Sequence, residues 1–462
     1  MKMKKFIDKI VSDKIDVIVL LAIVSLFSFF CILFDVTEYG DSFQYLHQYP
    51  MREPIYSLLL QILQFIKGDK YGILLGPIQN IMAIVCTYWA YKRIAKIYNF
   101  GILFRFGTVA ALLVPHIITP FLSKAHIILT NGVMTEGITV SLFYVWFTMI
   151  LGIFVGFYNE AKERKAVAVS LSLALLLSLT RGQMMLCIVI WLLVVIFRFF
   201  QNKKKAKLII ALLGCAIAIF SKGQLTKWYN LAESGYYVKT VSSKPMLMAN
   251  IVYVCSEEDA KYIKDEGLRE SFVQMVQRAE ADGITYNNAQ GSIIDKALYH
   301  EDCHDKLNFD YVDPAVRNVI YEKYGIDEEY FLELMIREDE LCGVMAAQLL
   351  PHIWPQFLKN YVSIVSLGFV RSIATEKMHM AFIALFMYFG AIIFMISGFI
   401  KGNKLGSYSM LLVLVTIAGT VMGTAIMIQC ITRYMIYNFP FFYIAGMSII
   451  SKLRLSDRKS AH

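Results

Sequence analysis

Repeated apolar runs of about 15–22 residues constrain this chain more than any other feature, because about 20 apolar helical residues cross a bilayer. Of the 462 residues, 57% are hydrophobic and only 18% are charged. No water satisfies backbone polar groups inside lipid, so each crossing segment must be helical. The sequence therefore predicts an all-α polytopic membrane protein with about ten transmembrane helices.

The basic residues beside these runs predict the direction of each span. Lysine and arginine gather in the short loops at alternate ends of the spans, a distribution typical of cytoplasmic loops. This pattern predicts a multi-pass protein of the cell membrane with both termini in the cytoplasm. The predicted spans cover residues 15–34, 72–91, 101–118, 136–157, 166–180, 184–200, 208–222, 379–399, 407–430 and 434–451.

The net charge of +9 does not indicate nucleic-acid binding, because the charges are segregated along the chain. Between Gly223 and His352 there are 23 acidic and 12 basic residues, whereas the rest of the chain holds 13 acidic and 33 basic residues. The basic excess belongs to loops on one side of the membrane and the acidic segment to the other. We expect the lipid bilayer as a partner and no nucleic acid.

The chain divides into three predicted parts. Residues 1–222 form an N-terminal transmembrane catalytic module with spans 1–7 and with interfacial helices in its first outer loop, 35–70. Residues 223–375 form a mainly helical extracytoplasmic domain that closes with a juxtamembrane helix. Residues 376–462 form the C-terminal transmembrane spans 8–10.

The eight cysteines show no metal-binding pattern. Because no CxxC or Cys/His spacing occurs, no metal site is predicted and no cofactor is assigned with certainty. A divalent cation beside a carboxylate is left open. One disulfide among Cys255, Cys303 and Cys342, in the acidic segment, is also left open.

Ionisable residues concentrate at the outer ends of the predicted spans. The middles of the spans carry almost no charge, which argues against a proton or ion pathway, because such pathways need ionisable groups at membrane depth. The candidate site residues at this interface are Asp41, Tyr45, Arg52, Glu53, Glu136, Arg181, Arg433 and Tyr434.

Asp41 is the candidate catalytic residue. It follows the first span and has the aromatic neighbours Phe43 and Tyr45. Burial against these rings and the membrane surface would raise the pKa of its carboxyl toward neutral pH, which suits a general base. The alternative is a solvated aspartate that caps a helix, because Gly40-Asp41-Ser42 is also good capping sequence.

Glu136 and two arginines share this interface. Glu136 opens a predicted span, where the helix dipole alone would stabilise its charge. Arg181 and Arg433 lie at the outer ends of later spans. A guanidinium stays charged and matches a phosphate with two parallel hydrogen bonds. Either these arginines bind the phosphate of a lipid-borne substrate, or they reach ordinary lipid headgroups.

Four short motifs together resemble the GT-C glycosyltransferases, multi-span enzymes that use polyprenyl-phosphate sugars. The motifs are Asp41 with Tyr45 and Arg52-Glu53-Pro54, then Thr135-Glu136, Leu179-Thr180-Arg181 and Arg433-Tyr434. The order of parts is also similar, with a helical bundle followed by a large outer domain. The chain departs from protein mannosyltransferases in lacking their Asp-Glu pair, and from oligosaccharyltransferases in lacking a WWD-type motif.

The resemblance implies an inverting transfer of a sugar from a polyprenyl-phosphate donor to an extracytoplasmic glycan, lipid or cell-wall acceptor. Asp41 would act as the base, and Arg181 and Arg433 would bind the donor phosphate. The residues that would support substrate binding are Tyr45, Arg52, Glu53, Glu136 and Tyr434. Alternatives are a polysaccharide polymerase or O-antigen-ligase-like enzyme with a diphosphate donor, and a lipid or sugar transporter.

Overall fold

The structure, a computed structural model, is helical throughout the parts of the chain that it describes. Within those parts, the β-type backbone pairing is one isolated parallel bridge between Thr37 and Gly132. The predicted all-α class is therefore confirmed. The N-terminal residue and the last two residues, which belong to the predicted cytoplasmic termini, lie outside the description. The described residues are 2–123, 126–202, 205–375 and 378–460.

The described ranges contain eighteen α-helices. They are α1 Lys2–Leu33, α2 Ser42–Leu46, α3 Pro54–Lys67, α4 Gly72–Tyr98, α5 Ile102–Phe121, α6 Glu136–Phe154, α7 Glu160–Thr180, α8 Leu186–Asn202, α9 Lys205–Ser234, α10 Ser243–Val252, α11 Glu266–Ala281, α12 Ile293–Lys306, α13 Asp313–Tyr324, α14 Phe331–Ile373, α15 Met378–Ile400, α16 Lys404–Met427, α17 Thr432–Met435 and α18 Phe439–Ser460. Short 3-10 turns cover Gly68–Lys70, Gly182–Met185, Glu257–Tyr262, Glu328–Tyr330 and Ile436–Asn438, and a π-helical turn covers Leu307–Val312.

Eight of the described helical segments are long and apolar enough to cross a membrane. This is two fewer than the predicted ten. The predicted span 166–180 corresponds to α7, whose first turns carry charged residues, and 434–451 corresponds to α18, whose side chains are described only as far as residue 451. The eight segments are Lys14–Leu33, Gly72–Tyr98, Ile102–Phe121, Glu136–Phe154, Gly182–Gln201, Leu208–Ser234, Met380–Ile400 and Lys404–Met427.

Two helices run further than their predicted spans. The helix predicted to end at residue 91 continues to Tyr98, and the one predicted to end at 222 continues to Ser234. Lys92 had suggested the end of the first of these spans. Lysine is a good helix former, so a charge marks the limit of the apolar run without ending the helix.

Four connections meet at one end of the helix bundle, here called the site end. They are the loop after α1, the segment before α6, the turn between α7 and α8, and the segment between α16 and α18. The Thr37–Gly132 bridge joins the first two, and ion pairs join the others to them. Residues that are distant in sequence are therefore brought together at the site end.

The opposite end of the bundle is held by its own buried carboxylate. Asp16 of α1 is 6% exposed and pairs with Lys92 of α4 and with Arg105 of α5, whose Nη1 lies 3.4 Å from Asp16 Oδ1. Glu163 and Arg198 similarly join α7 to α8. Because an unpaired buried charge is costly, these pairs constrain how the helices are ordered.

A second apolar core lies outside the main bundle. It is formed by residues from Met248 to Ile353, and it includes Phe272, Val316 and Leu349. The 43-residue helix α14 links the two cores, because its first half packs into the second core and its last residues pack into the bundle. This helix continues through two internal prolines, so the predicted juxtamembrane helix is the last part of a longer element.

All eight cysteines are free thiols. Cys255, Cys303 and Cys342 are buried in the second apolar core, so the disulfide left open among them does not form in this structure. Buried free cysteine behaves as a small apolar residue.

Candidate functional site

The turn that carries Asp41 is attached to the segment before α6 by backbone hydrogen bonds. Thr37 N–H donates to the Asn131 carbonyl (2.9 Å), and Val133 N–H donates to the Thr37 carbonyl (2.9 Å). The Ser42 hydroxyl then donates to the Val133 carbonyl (2.8 Å). The backbone around Asp41 is therefore fixed relative to the segment that leads into α6.

The Asp41 carboxylate pairs with two arginines and does not cap a helix. Asp41 precedes α2, but its side chain makes no capping hydrogen bond there. Arg52 Nη2 lies 2.9 Å from Oδ1, and Arg433 Nη2 lies 2.8 Å from Oδ2. The Asp41 side chain keeps 31% of its exposure, so a substrate can still reach it. The structure therefore does not support the helix-cap alternative.

Arg52 is positioned by its own loop. Its Nε donates to Gln44 Oε1 (2.6 Å), and its Nη1 donates to the Tyr45 hydroxyl (3.3 Å). Its guanidinium carbon also lies 4.8 Å from the centre of the Tyr45 ring, in cation–π contact. Tyr45 in turn packs edge-on against buried Tyr56. Tyr45 therefore acts on Asp41 through Arg52.

Glu136 forms the second carboxylate–arginine group. It is the first residue of α6 and is 2% exposed. Arg181 Nη1 lies 2.6 Å from its Oε1, and Arg433 Nε lies 3.7 Å from the same oxygen. Arg181 also donates to the Thr135 hydroxyl (3.2 Å). The helix dipole stabilises Glu136 as expected, but two arginines do so as well.

Tyr434 lies against both phosphate-site candidates. Its ring centre is 4.3 Å from the Arg181 guanidinium carbon and 5.1 Å from that of Arg433. The Arg433 Nη2 donates to the Tyr434 hydroxyl (3.2 Å). Because Arg433 contacts both Asp41 and Glu136, it joins the two carboxylates into one charged cluster.

Glu53 points away from this cluster. Its Oε1 accepts hydrogen bonds from Lys222 Nζ (2.6 Å) and from the Thr240 hydroxyl (3.0 Å), and its Oε2 accepts from the Thr226 hydroxyl (3.1 Å). Glu53 is 5% exposed. Its role is to join the start of α3 to α9 and to the segment after α9, and it makes no contact with Asp41 among the described interactions.

All eight candidate residues line one cavity of about 670 Å³. This volume lies within the range of about 300–1,000 Å³ that is typical of small-molecule sites. One wall is charged, and the other is apolar. The apolar wall is formed by Met185, Leu186 and Val189 from the α7–α8 region together with Gly419, Gly423 and Met427 from α16.

The arginines decide the protonation of Asp41. Burial by itself raises the pKa of the carboxyl, but the charges of Arg52 and then Arg433 outweigh it and hold the pKa below its ordinary value. The expectation of a raised pKa is therefore wrong for this structure, because desolvation was considered without the two guanidinium groups. Asp41 is ionised near neutral pH.

Several cavity residues were missed in the sequence. Gln183 donates to the Thr424 hydroxyl (2.7 Å) and joins the α7–α8 turn to α16. Lys222 could have been found, since it is a charge at the end of a predicted span. Gln44 and Lys239 carried no signal, because nothing local distinguishes them from other loop residues.

The chain matches no protein-family model, no curated protein and no solved structure. Among the residues that the structure describes, no group of three or more histidine, cysteine, aspartate or glutamate side chains is arranged to hold a metal ion. The chemistry of the site therefore has to be argued from its own geometry.

Proposed function

We propose that this protein is an integral-membrane inverting glycosyltransferase, similar in plan to the GT-C enzymes, that takes a sugar from a polyprenyl-phosphate donor. One observation carries the proposal. A half-buried carboxylate, Asp41, lines a cavity together with three arginines, and another part of the lining of the same cavity is apolar. The substrate that matches such a cavity has a hydroxyl to activate, an anion to bind and a lipid tail.

The donor phosphate belongs at Arg181 and Arg433. Both guanidinium groups lie around Tyr434 at the edge of the cavity, and both are nearly desolvated. Preorganised cations in such a site stabilise negative charge that develops in the transition state. A polyprenyl phosphate is already a good leaving anion, so the reaction needs no general acid.

The proposed step is a single displacement at the anomeric carbon. The acceptor hydroxyl oxygen forms a bond to that carbon while the bond from the carbon to the phosphate oxygen breaks. Asp41 receives the hydroxyl proton, and the electron pair leaves on polyprenyl phosphate beside Arg181 and Arg433. One base and one face of attack give inversion, in contrast to the two carboxylates of glycosidases.

Asp41 is paired with Arg52 and Arg433 in this structure, and it can act as the base once the bound donor changes these ion pairs. A general base works best when its pKa lies near the working pH, whereas Arg52 and Arg433 hold that of Asp41 low. A phosphate that binds Arg433 would compete with Asp41 for that guanidinium. Weaker pairing would let the pKa of Asp41 rise when the donor is in place.

We also propose that the chain crosses the membrane ten times. Glu136 at the start of α6 pairs with Arg181 directly after α7, so these helices run antiparallel from a common level. They have 19 and 21 residues, or about 28 and 32 Å at 1.5 Å per residue. Since α7 covers the same thickness as α6, we count it as a span. We also count α18, which has 22 residues and begins at Phe439, shortly after Arg433 at the site end.

The proposed orientation places the site end outside the cytoplasm. Basic residues such as Lys92, Arg105 and Arg198 lie at the opposite end, as in cytoplasmic loops. The acidic segment lies at the site end, where Val241 N–H donates to the Pro50 carbonyl (3.0 Å). The cavity would then meet a lipid-linked sugar and an extracytoplasmic glycan, lipid or cell-wall acceptor.

The test is an Asp41→Asn variant with Asp35→Asn as the matched control, since Asp35 is an exposed aspartate in the same loop. Membranes that contain each variant receive labelled polyprenyl-phosphate sugar, and label in glycan and lipid fractions is measured. Loss of a positioned base lowers the transfer rate by roughly 10²–10⁴-fold, whereas Asp35→Asn transfers normally. Normal transfer by folded, donor-binding Asp41→Asn would refute the assignment of Asp41.

A further inference from the structure

The charges around the cavity do not balance. Three arginines face the two carboxylates Asp41 and Glu136 at one end. The excess of one positive charge there matches the single negative charge of a phosphodiester donor. The donor phosphate therefore neutralises the net charge of the arginine cluster, and no positive charge remains there for a second anionic group.

Two lysines add further cations to the lining of the cavity. Lys222 and Lys239 both line the cavity. Lys222 already forms an ion pair with Glu53, in which its Nζ lies 2.6 Å from Oε1. Lys239 is exposed, and it has no carboxylate partner within the described part of the chain. It adds an uncompensated positive charge to a cavity in which each carboxylate already has a cation.

The segment that carries Lys239 is held in place by its neighbours. Asn230 Nδ2 donates to the Val238 carbonyl (3.0 Å), and the Thr240 hydroxyl donates to Glu53 (3.0 Å). Val241 N–H donates to Pro50 O on the loop that carries Arg52. The backbone is therefore fixed on both sides of Lys239, while its side chain remains free to meet a ligand.

We propose that Lys239, with the cavity-lining hydroxyl groups of Ser242 and Ser243, binds an anionic group on the acceptor. The acceptor would then be an acidic glycan or lipid that carries a phosphate or a carboxylate. This inference rests on the proposed transferase function, since it places the acceptor hydroxyl at Asp41. Glu53 already accepts hydrogen bonds from Lys222, Thr226 and Thr240, so it does not offset the charge of Lys239.

The experiment uses the full chain in lipid nanodiscs with two probes. Farnesyl phosphate tests the arginine end, and inorganic phosphate, added to protein saturated with farnesyl phosphate, tests the lysine end. The variants are Lys239→Gln and the control Lys227→Gln. Lys227 lies on neighbouring α9 and contacts the Tyr237 ring (4.9 Å) outside the cavity. Arg433→Gln reports on the donor end.

We expect Lys239→Gln to weaken the binding of inorganic phosphate by about tenfold, the effect of losing one charge-assisted hydrogen bond. Its affinity for farnesyl phosphate should stay within about twofold, and Lys227→Gln should change neither affinity. Since the Lys239 side chain is exposed, the melting temperature should not change.

Two results would overturn the acceptor subsite. One is inorganic phosphate that fails to bind the wild type or binds Lys239→Gln equally well. The other is a loss of farnesyl diphosphate affinity in Lys239→Gln that is as large as the loss of inorganic phosphate affinity. The lysine would then bind part of a diphosphate donor. Failure of the transferase proposal looks different: farnesyl phosphate would not bind, or its binding would not depend on Arg433.

Discussion

Two cavities of similar size and opposite character lie in the described part of the bundle. The site cavity of about 670 Å³ lies among helix ends and is lined by charged residues from four connections. The other, of about 800 Å³, lies between α5, α15 and α18 and is lined almost entirely by apolar side chains. Small residues such as Gly390 and Gly446 leave the second space open. In this fold, small residues therefore create the space of a cavity, whereas the loops that close the cavity determine its chemistry.

Forming the charged cavity requires more free energy than forming the apolar cavity. A buried carboxylate loses several kcal/mol of hydration, which a partner in good geometry offsets. Asp41 and Glu136 have such partners, and Arg433 is common to both. The apolar cavity involves no comparable cost. We therefore expect changes in the charged cavity to alter ligand binding and matched changes in the apolar cavity to leave it unaltered.

The largest expected effect comes from Arg433→Met. Removal of this guanidinium leaves Asp41 and Glu136 to repel an incoming phosphate, and it should weaken farnesyl phosphate binding by roughly 10²-fold, as for the loss of one partner from a buried ion pair. Isothermal titration calorimetry measures the affinity. Met447→Leu in the apolar cavity conserves volume and is the control. Equal affinity in the two variants would mean that the arginine cluster is not the anion site.

A second pair of variants fills each cavity in turn. Gly423 lines the site cavity and Gly446 the apolar cavity, and an added Cβ would meet no atom within 4 Å at either position. Gly423→Trp should obstruct the apolar wall and weaken farnesyl phosphate binding by about tenfold, through the loss of buried prenyl surface. Gly446→Trp should bind normally. The opposite result would place the lipid tail in the apolar cavity.

A third pair compares the packing around the two cavities. A Cβ on Gly137, beside Glu136, would lie 2.1 Å from Gln79 Oε1. Gln79 donates to the carbonyls of Thr130 and Gly132, so it cannot move freely. Gly137→Ala should lower stability by about 1–3 kcal/mol, whereas Gly390→Ala, with open space around the new carbon, should be neutral or slightly stabilising. Thermal unfolding in detergent measures both, and an unchanged Gly137→Ala melting temperature would contradict this packing.

The smallest expected effect is the pH dependence of stability. The pKa of Asp41 is held below its unfolded value by Arg52 and Arg433, so its contribution is present above about pH 4 and is lost as the pH falls through the folded pKa. The melting temperature of the wild type should exceed that of Asp41→Asn by about 2 °C at pH 7. The difference should shrink toward pH 3, and a difference that is independent of pH would mean that the ion pairs do not stabilise the fold.

The site was predictable from the sequence in its residue types but not in its contacts. The positions of Asp41, Glu136, Arg181 and Arg433 at span ends follow from hydropathy, and the structure places all four around one cavity. Glu53 looked like their neighbour because it follows Arg52, yet its side chain points to Lys222. Adjacent residues can face different partners, and local sequence does not decide which partner is near.

The helical class and the position of charge at the ends of apolar runs follow from the amino-acid sequence, because a spanning chain must hydrogen-bond its own backbone and charged groups avoid hydrocarbon. Which arginines pair with which carboxylates is set by the packing of the helices and is not visible in the sequence. The lowered pKa of Asp41 depends on nearby Arg52 and also on Arg433, which comes from the far end of the chain. Such pairing follows from how the helices pack, because the electrostatic energy of a buried charge depends on distances of a few ångströms.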